Sequence, residues 1–382
     1  MIYPDLNNIT WHRPFSGRTR WFSSFAQCRD GRIIFSFFDY AYSEAVNYSR
    51  VTYGHATSYQ TFLVAGGVSN IVYAFTDASR SMRGSFYNVD DDLYLAVSSR
   101  TASGAGWFKA EIYKSASGNG VDEDGVPDWS LYGTVWEWYY PDGYFFGDNF
   151  NMGTPYITGG RWIITTPCIY IGLCPMYHAG IYTSDDEGVT WTQRYHRGIG
   201  AIGGAYTENA SRTIVEFNGS LYATVEGNTS NGVMMRGNSN GSFWESLYQF
   251  SVVGWIQSRG HALMNSGNGF LQMLIDCYGG EWILVYSTTD PDVIETQGGW
   301  VKTKEYNINT DMWDLYHPYF ASVKNEWGND ILLVGAGGWV SNGTPPNPGV
   351  CACKASNKIL SATSRRYIEP FPVHSHSNII IP

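Results

Sequence analysis

Six turn-marked hairpins recur along this chain, one about every sixty residues. Residues 21–27 and 32–38 flank Asp30-Gly31, and a second hairpin bends at Asp90-Asp91-Asp92 into residues 93–98. The third joins 155–158 to 161–166 across Gly159-Gly160, and the fourth joins 213–217 to 220–225 across Asn218-Gly219. The fifth pairs 261–265 with 270–276 near Asn268-Gly269, and the sixth pairs 319–324 with 330–335 near Gly328-Asn329. Taken at residues 31, 91, 160, 219, 269 and 329, the turns lie 60, 69, 59, 50 and 60 residues apart. The runs between them are short, rich in Ile, Val, Tyr, Phe and Trp, and closed by Gly, Asn or Asp, which is a strand pattern. Units of this length, each holding about four short strands, are what propeller blades need. A β-sandwich explains short strands but not the long period. The expectation is an all-β chain folded as a six-bladed β-propeller. Residues 1–19 are read as a lead-in, 20–355 as the propeller, and 356–382 as a segment that closes the ring or reaches a neighbour.

Composition narrows the function classes. The 24 Lys and Arg against 34 Asp and Glu give a net charge of −10, and only 15% of the residues are charged. Phosphate binding needs clustered cations, so nucleic acid is not an expected partner. An aromatic share of 16% argues against disorder. No apolar run is long enough for a membrane-spanning helix, so membrane insertion is not expected. The N-terminal residues show no basic-then-apolar leader. The cysteines, Cys28, Cys168, Cys174, Cys277, Cys351 and Cys353, are too sparse for a disulfide scaffold and read as buried free thiols.

The segment Tyr182-Thr183-Ser184-Asp185-Asp186-Glu187-Gly188-Val189-Thr190-Trp191 carries the pattern Ser-x-Asp-x-Gly-x-Thr-Trp. Asp186 is suited to accept from the amides of its own turn, Gly188 to supply a positive φ, and Trp191 to plug the apolar space beneath. The pattern resembles the sialidase and Asp-box (BNR) repeat β-propeller superfamily. Residues 237–244 resemble a degenerate copy that keeps Gly241 and Trp244 but has Ser239 for the aspartate, and residues 115–129 resemble a copy enlarged by an insertion. The resemblance implies a structural role for Ser184, Asp186, Gly188 and Trp191, away from any active centre.

Two longer stretches extend the resemblance. Residues 20–35 are similar to the first sialidase blade, and Arg20 falls on its first carboxylate-binding arginine, although Trp21-Phe22 replaces Ile-Pro. Residues 208–221 are similar to the fourth blade, with Glu208 near the glutamate that activates a nucleophilic tyrosine. That chemistry implies three arginines, a Tyr–Glu pair and an aspartic acid; a tyrosine nucleophile is an exception among glycosidases. Tyr319 is the candidate nucleophile and Asp39 the candidate acid. Glu226 stands where the second arginine should be, and a carboxylate there repels an anionic sugar. No third arginine is identifiable. Paired carboxylates acting on a neutral sugar remain open, with Glu208, Glu226, Asp39 and Asp276 as candidates. Such pairs stand roughly 6.5–9.5 Å apart in inverting enzymes and about 5–5.5 Å in retaining ones.

Residues 119–128 resemble the calcium loops of dockerin and thrombospondin repeats, and Asp122, Asp124 and Asp128 are the candidate ligands. Gly120 occupies the first ligand position, so the loop is incomplete. Calcium is the one candidate cofactor. Residues 136–150 are aromatic throughout, and Trp136, Trp138, Tyr140 and Tyr144, with Arg20, are the candidate ligand-binding residues, since exposed rings stack on sugars. The leading expectation is a non-catalytic propeller that binds a glycan or cell-surface receptor, in the manner of a viral (phage) receptor-binding or virion-surface protein, either on a virion or extracellular. The alternatives are a glycoside hydrolase acting on a neutral or weakly charged glycan, and a structural virion module that contacts other virion proteins.

Overall fold

The computed structural model describes residues 3–12, 21–38, 51–56, 68–74, 80–101, 106–140, 152–166, 180–196, 210–226, 231–251, 261–265, 271–276, 282–288, 299–307, 314–324, 330–339 and 351–358. The strands found there fall into four-stranded antiparallel sheets. The first holds β2 (Trp21–Gln27), β3 (Ile33–Phe38), β4 (Val51–Ala56) and β5 (Val68–Tyr73). The second holds β6 (Arg80–Val89), β7 (Asp92–Thr101), β8 (Gly106–Ser115) and β9 (Trp129–Tyr140). The third is built from β10 (Tyr156–Thr158), β11 (Arg161–Thr166), β12 (Gly180–Ser184) and β13 (Thr192–His196). The fourth comprises β14 (Ala210–Phe217), β15 (Ser220–Glu226), β16 (Asn231–Gly237) and β17 (Trp244–Ser251). The fifth comprises β18 (His261–Asn265), β19 (Leu271–Asp276), β20 (Trp282–Thr288) and β21 (Trp300–Asn307). Among the described residues, no helix is long and apolar enough to cross a membrane.

The expectation of six blades is corrected here. Five blades are continuous units, each cut from one run of consecutive strands. The remaining sheet is a composite of both chain ends, in the order β1 (Tyr3–His12), β24 (Cys351–Lys358), β23 (Asp330–Trp339), β22 (Asp314–Lys324). Thr10 pairs with Lys354 and Trp11 with Cys353. The turn period counts hairpins, and among the described residues the last hairpin is followed by one further strand, not two. The missing partner is supplied from within 1–19, the stretch read as a lead-in. Antiparallel pairing with β1 covers the edge that β24 would otherwise expose.

First strands of neighbouring sheets pack on one another: β2 on β6 and on β22, β10 on β14, and β18 on both β14 and β22. Apolar clusters fill the seams. Ile34 and Tyr53 of the first blade meet Phe86, Leu93 and Leu95 of the second. Tyr87 and Tyr94 of the second set their rings edge-on to Trp162 of the third. Ile163 and Ile181 meet Leu221, Met235 and Trp244 of the fourth, and Phe217 and Met234 meet Leu271 and Met273 of the fifth. Fully burying one such side chain contributes about 1.5–3 kcal/mol. Polar stitches fix the registry of the inner strands. Ser24 Oγ accepts the amide of Phe86 at 2.6 Å, and Thr213 Oγ1 accepts that of Leu263 at 2.6 Å. The composite sheet is tied in likewise: the Leu6 amide donates to Gln272 Oε1 at 3.0 Å, and Tyr306 Oη to the Leu6 carbonyl at 2.8 Å.

Candidate functional site

Antiparallel pairing gives the ring two unlike rims. One carries the turns between first and second strands and those between third and fourth. Ion pairs run between these turns: Arg29 to Asp92 at 2.9 Å, Lys114 to Asp92 at 2.6 Å, and Arg161 to Asp185. The Arg161 guanidinium also holds the Asp185 carboxyl below the usual carboxylate range.

The Ser184–Trp191 turn is closed by its own side chains. Ser184 Oγ accepts the Gly188 amide and donates to Asp186 Oδ1, both at 2.7 Å. Asp186 accepts the Thr190 amide at 2.8 Å and the Thr190 hydroxyl at 2.6 Å. These bonds favour the ionised form, and the Asp186 carboxyl lies at about 2. Gly188 has φ 96°, and Trp191 Nε1 donates to the Gly188 carbonyl at 2.9 Å. In residues 237–244 the carboxylate is gone, but Trp244 Nε1 donates to the Gly241 carbonyl at 3.0 Å. The indole–carbonyl bond outlasts the aspartate.

In residues 115–129 Ser115 Oγ accepts the amides of Gly118 and Gly120 at 3.0 and 2.9 Å and donates to Asp128 Oδ1 at 2.8 Å. Asp128 Oδ2 also takes the Ser117 amide at 2.7 Å. Asp122 Oδ1 accepts the amides of Asp124 and Val126 at 3.0 and 2.8 Å. Two of the three carboxylates read as calcium ligands, those of Asp122 and Asp128, thus serve backbone amides of the loop. Among the described residues there is no group of three or more His, Cys, Asp or Glu placed to hold a metal.

The other rim carries the starts of the first strands and the ends of the second strands. Glu226 is the last residue of β15, opposite Gly232, and Asp276 is the last of β19, opposite Ile283. Tyr319 lies in β22 opposite Gly335, where a register shift between Tyr316 and Tyr319 breaks the ladder. Arg20, Asp39, Tyr144 and Glu208 lie outside the described residues. Arg20 and Asp39 flank, in the chain, the paired residues Trp21 and Phe38.

The aromatic run of β9 divides between two faces. Trp136 is 7% exposed, in the core between the second and third blades, and Trp138 is stacked on Phe108 with centroids 6.2 Å apart. Tyr140 ends the strand opposite Gly106. The solvent face carries Tyr139, 49% exposed, beside its cross-strand partner Trp107, 43% exposed. Sequence reasoning placed Tyr139 in the aromatic cluster without choosing it as a candidate, and did not reach Trp107. The signal was present in the alternation of period two. Phe108, Ala110 and Ile112 share the apolar face of β8, so Trp107 falls with Lys109, and Glu137 marks Tyr139 as outward. Cys28 is a buried free thiol, and burial pushes its pKa up.

No protein-family model and no curated protein sequence matches this chain. Solved structures do. A protein of unknown function from Dyadobacter fermentans superposes with a TM-score of 0.57 at 12% identity, over 91% of this chain and 99% of that one. An α-L-arabinanase of Penicillium chrysogenum, solved with arabinobiose, gives 0.51 at 12% identity, over 91% and 98%. A sialidase of Trypanosoma rangeli, solved with sialic acid, gives 0.52 at 10% identity, over 88% of this chain and 54% of that one. The fold is that of the sialidase and arabinanase β-propellers. This chain spans about half the length of the sialidase it matches. The shared fold puts the strand ends that carry Glu226 and Asp276 on one rim, away from the hydrogen-bonded turns.

Proposed function

We propose that this chain is a glycan-binding β-propeller whose ligand enters from the rim opposite the hydrogen-bonded turns. The asymmetry of the two rims carries the reading. One rim spends its serines, aspartates and tryptophans on closing turns and seams. The other ends two of its second strands in carboxylates, Glu226 and Asp276. Propellers of this fold have been solved with arabinobiose and with sialic acid, which supports a saccharide as the ligand class. Glu226 favours a neutral glycan, because a carboxylate near an anionic sugar is repulsive. We assign the binding to attachment at a glycan-coated surface; composition, not a structural feature, is what favours a virion as the carrier.

A second reading, hydrolysis of a neutral glycan, is favoured by the same strand-end carboxylates. Glu226 and Glu208 are its candidate acid–base pair, with Asp39 and Tyr319 as further candidates. A glycan array read by mass spectrometry after incubation separates the two. Retained protein on intact glycans is the expected result. Loss of a sugar, abolished by the double substitution Glu208→Gln and Glu226→Gln, would establish the hydrolase instead. Neither retention nor loss on any glycan would sink both.

A further inference from the structure

The second blade carries a ring pair on its two outer strands that the candidate central site does not use. Trp107, near the start of β8, and Tyr139, near the end of β9, face each other across the ladder with centroids 5.2 Å apart and planes at 64°. Both are among the most exposed large hydrophobic side chains described. Two large rings are seldom left in water at adjacent positions of a strand pair without a use. We infer that this pair is a second, peripheral glycan-binding site that takes a neutral sugar ring. The inference rests on the glycan-binding reading above and extends it to a site distant in sequence from Glu226 and Asp276.

Charges beside the rings set the ligand class. Lys109 Nζ stands 5.5 Å from the centroid of the Trp107 ring. It is held by Glu137 at 3.1 Å and approaches Glu111 at 3.8 Å. The Glu111 side chain is only 4% exposed, and it accepts the Tyr113 hydroxyl at 3.0 Å. A buried carboxylate, itself fixed by a tyrosine, thus helps position the cation over the Trp107 ring. Two carboxylates and one ammonium leave the site without net positive charge. A sugar carboxylate or sulfate finds no net attraction there, whereas a neutral ring can lay its C–H face on an aromatic ring and its hydroxyls against Lys109 and Glu137. The angle between the rings makes a corner rather than a flat plate, which suits one sugar unit seated on one ring and touched at its edge by the other.

Four proteins on one array test this: the full chain, Trp107→Ala, Tyr139→Ala and Glu226→Gln. The probes are neutral arabinan-, xylan-, galactan- and glucan-derived oligosaccharides, with sialylated oligosaccharides as the anionic arm. Melting temperatures confirm that each variant is folded. Expected is a loss of affinity of about tenfold for neutral probes in Trp107→Ala, and a smaller loss in Tyr139→Ala. Glu226→Gln should keep part of the binding. Full binding in both ring variants, with loss in Glu226→Gln, would overturn the peripheral site and leave the central reading standing. Preference of the full chain for sialylated probes, lost in Trp107→Ala, would overturn the assigned ligand class. No binding by the full chain would overturn both readings together.

Discussion

The Ser184–Trp191 turn and the enlarged Ser115–Trp129 turn occupy equivalent places in neighbouring blades, between the third strand and the fourth. In each, a serine hydroxyl accepts one or two glycine amides and donates to an aspartate. They differ in where the aspartate and the tryptophan find their partners. In the short turn Asp186 lies two residues beyond the serine, and Trp191 bonds to the turn's own Gly188 carbonyl. In the long one Asp128 comes back from the far end of the insertion. Trp129 Nε1 donates to Tyr53 Oη of the preceding blade at 3.2 Å, and Tyr53 Oη in turn donates to the Gly120 carbonyl at 2.6 Å. Insertion is tolerated because the serine–aspartate contact is rebuilt from a distant residue. The indole then needs a neighbour's hydroxyl as relay. The long turn becomes a clamp between blades: the Asp30 amide donates to Asn119 Oδ1 at 3.1 Å, the Arg29 amide to the Gly118 carbonyl at 3.0 Å, and His55 Nε2 lies 2.8 Å from the Asn119 carbonyl.

Both turns lean on the preceding blade, and the largest expected effect comes from breaking that contact at the short one. A Cβ on Gly133 of β9 would collide with the Gly188 carbonyl. Backbone cannot move aside as a side chain can, so Gly133→Ala should cost about 3 kcal/mol and part the second and third blades. Chemical denaturation measures it; a loss under half that size would mean that the two backbones separate easily. Next come the two serines. Ser115→Ala removes the acceptor of two glycine amides, Ser184→Ala that of one close amide and of the Asp186 amide at a long 3.4 Å. Each should cost about 1–3 kcal/mol, with Ser115 the costlier. The reverse order would contradict the account of the hydroxyl as an amide hub.

Tyr53→Phe separates the two turns most cleanly. It leaves the Gly120 carbonyl and the Trp129 indole without their relay, for a loss of about 1–2 kcal/mol. Hydrogen exchange should quicken at Trp129 and stay unchanged at Trp191; equal quickening would show that the turns are coupled through the ring. The smallest effect concerns Asp186→Asn and depends on pH. Asp186 has a folded pKa of about 2, below the unfolded value of about 3.9. Its charge therefore stabilises the fold fully above about pH 4, and that contribution is lost as pH falls through about 2. The melting-temperature gap between the native chain and Asp186→Asn should close between those limits. A gap constant down to pH 2 would show that the charge contributes nothing.

Much of the strand layout was legible in the chain. Turn residues such as Asp30-Gly31 and Asn218-Gly219 stop strands locally, and alternating apolar residues show which runs need burial. The bounds of β2, β11 and β18 follow from those signals. The Ser184–Trp191 turn was legible for the same reason: its partners lie within a few residues. Of the candidate site, Glu226 was legible through the family resemblance, which expects an arginine at its place, and Asp276 as a carboxylate closing an apolar run. The rings of residues 136–140 were visible as a cluster but not as two faces. That division depends on the pairing of Trp107 with Tyr139 and on what lies beneath Trp136.

The sequence by itself determined the all-β pattern, the hairpins and the chemistry of the turns, because each is written within a short window of chain. Tertiary structure alone decided that β1 completes the sheet of β22–β24, that Tyr53 relays for Trp129, and that Trp107 and Tyr139 face water together. These contacts join residues far apart in the chain, so nothing in a local window records them. They exist because an unpaired strand edge, a buried carbonyl and an apolar face each need a partner, and only ring closure brings the partners within reach.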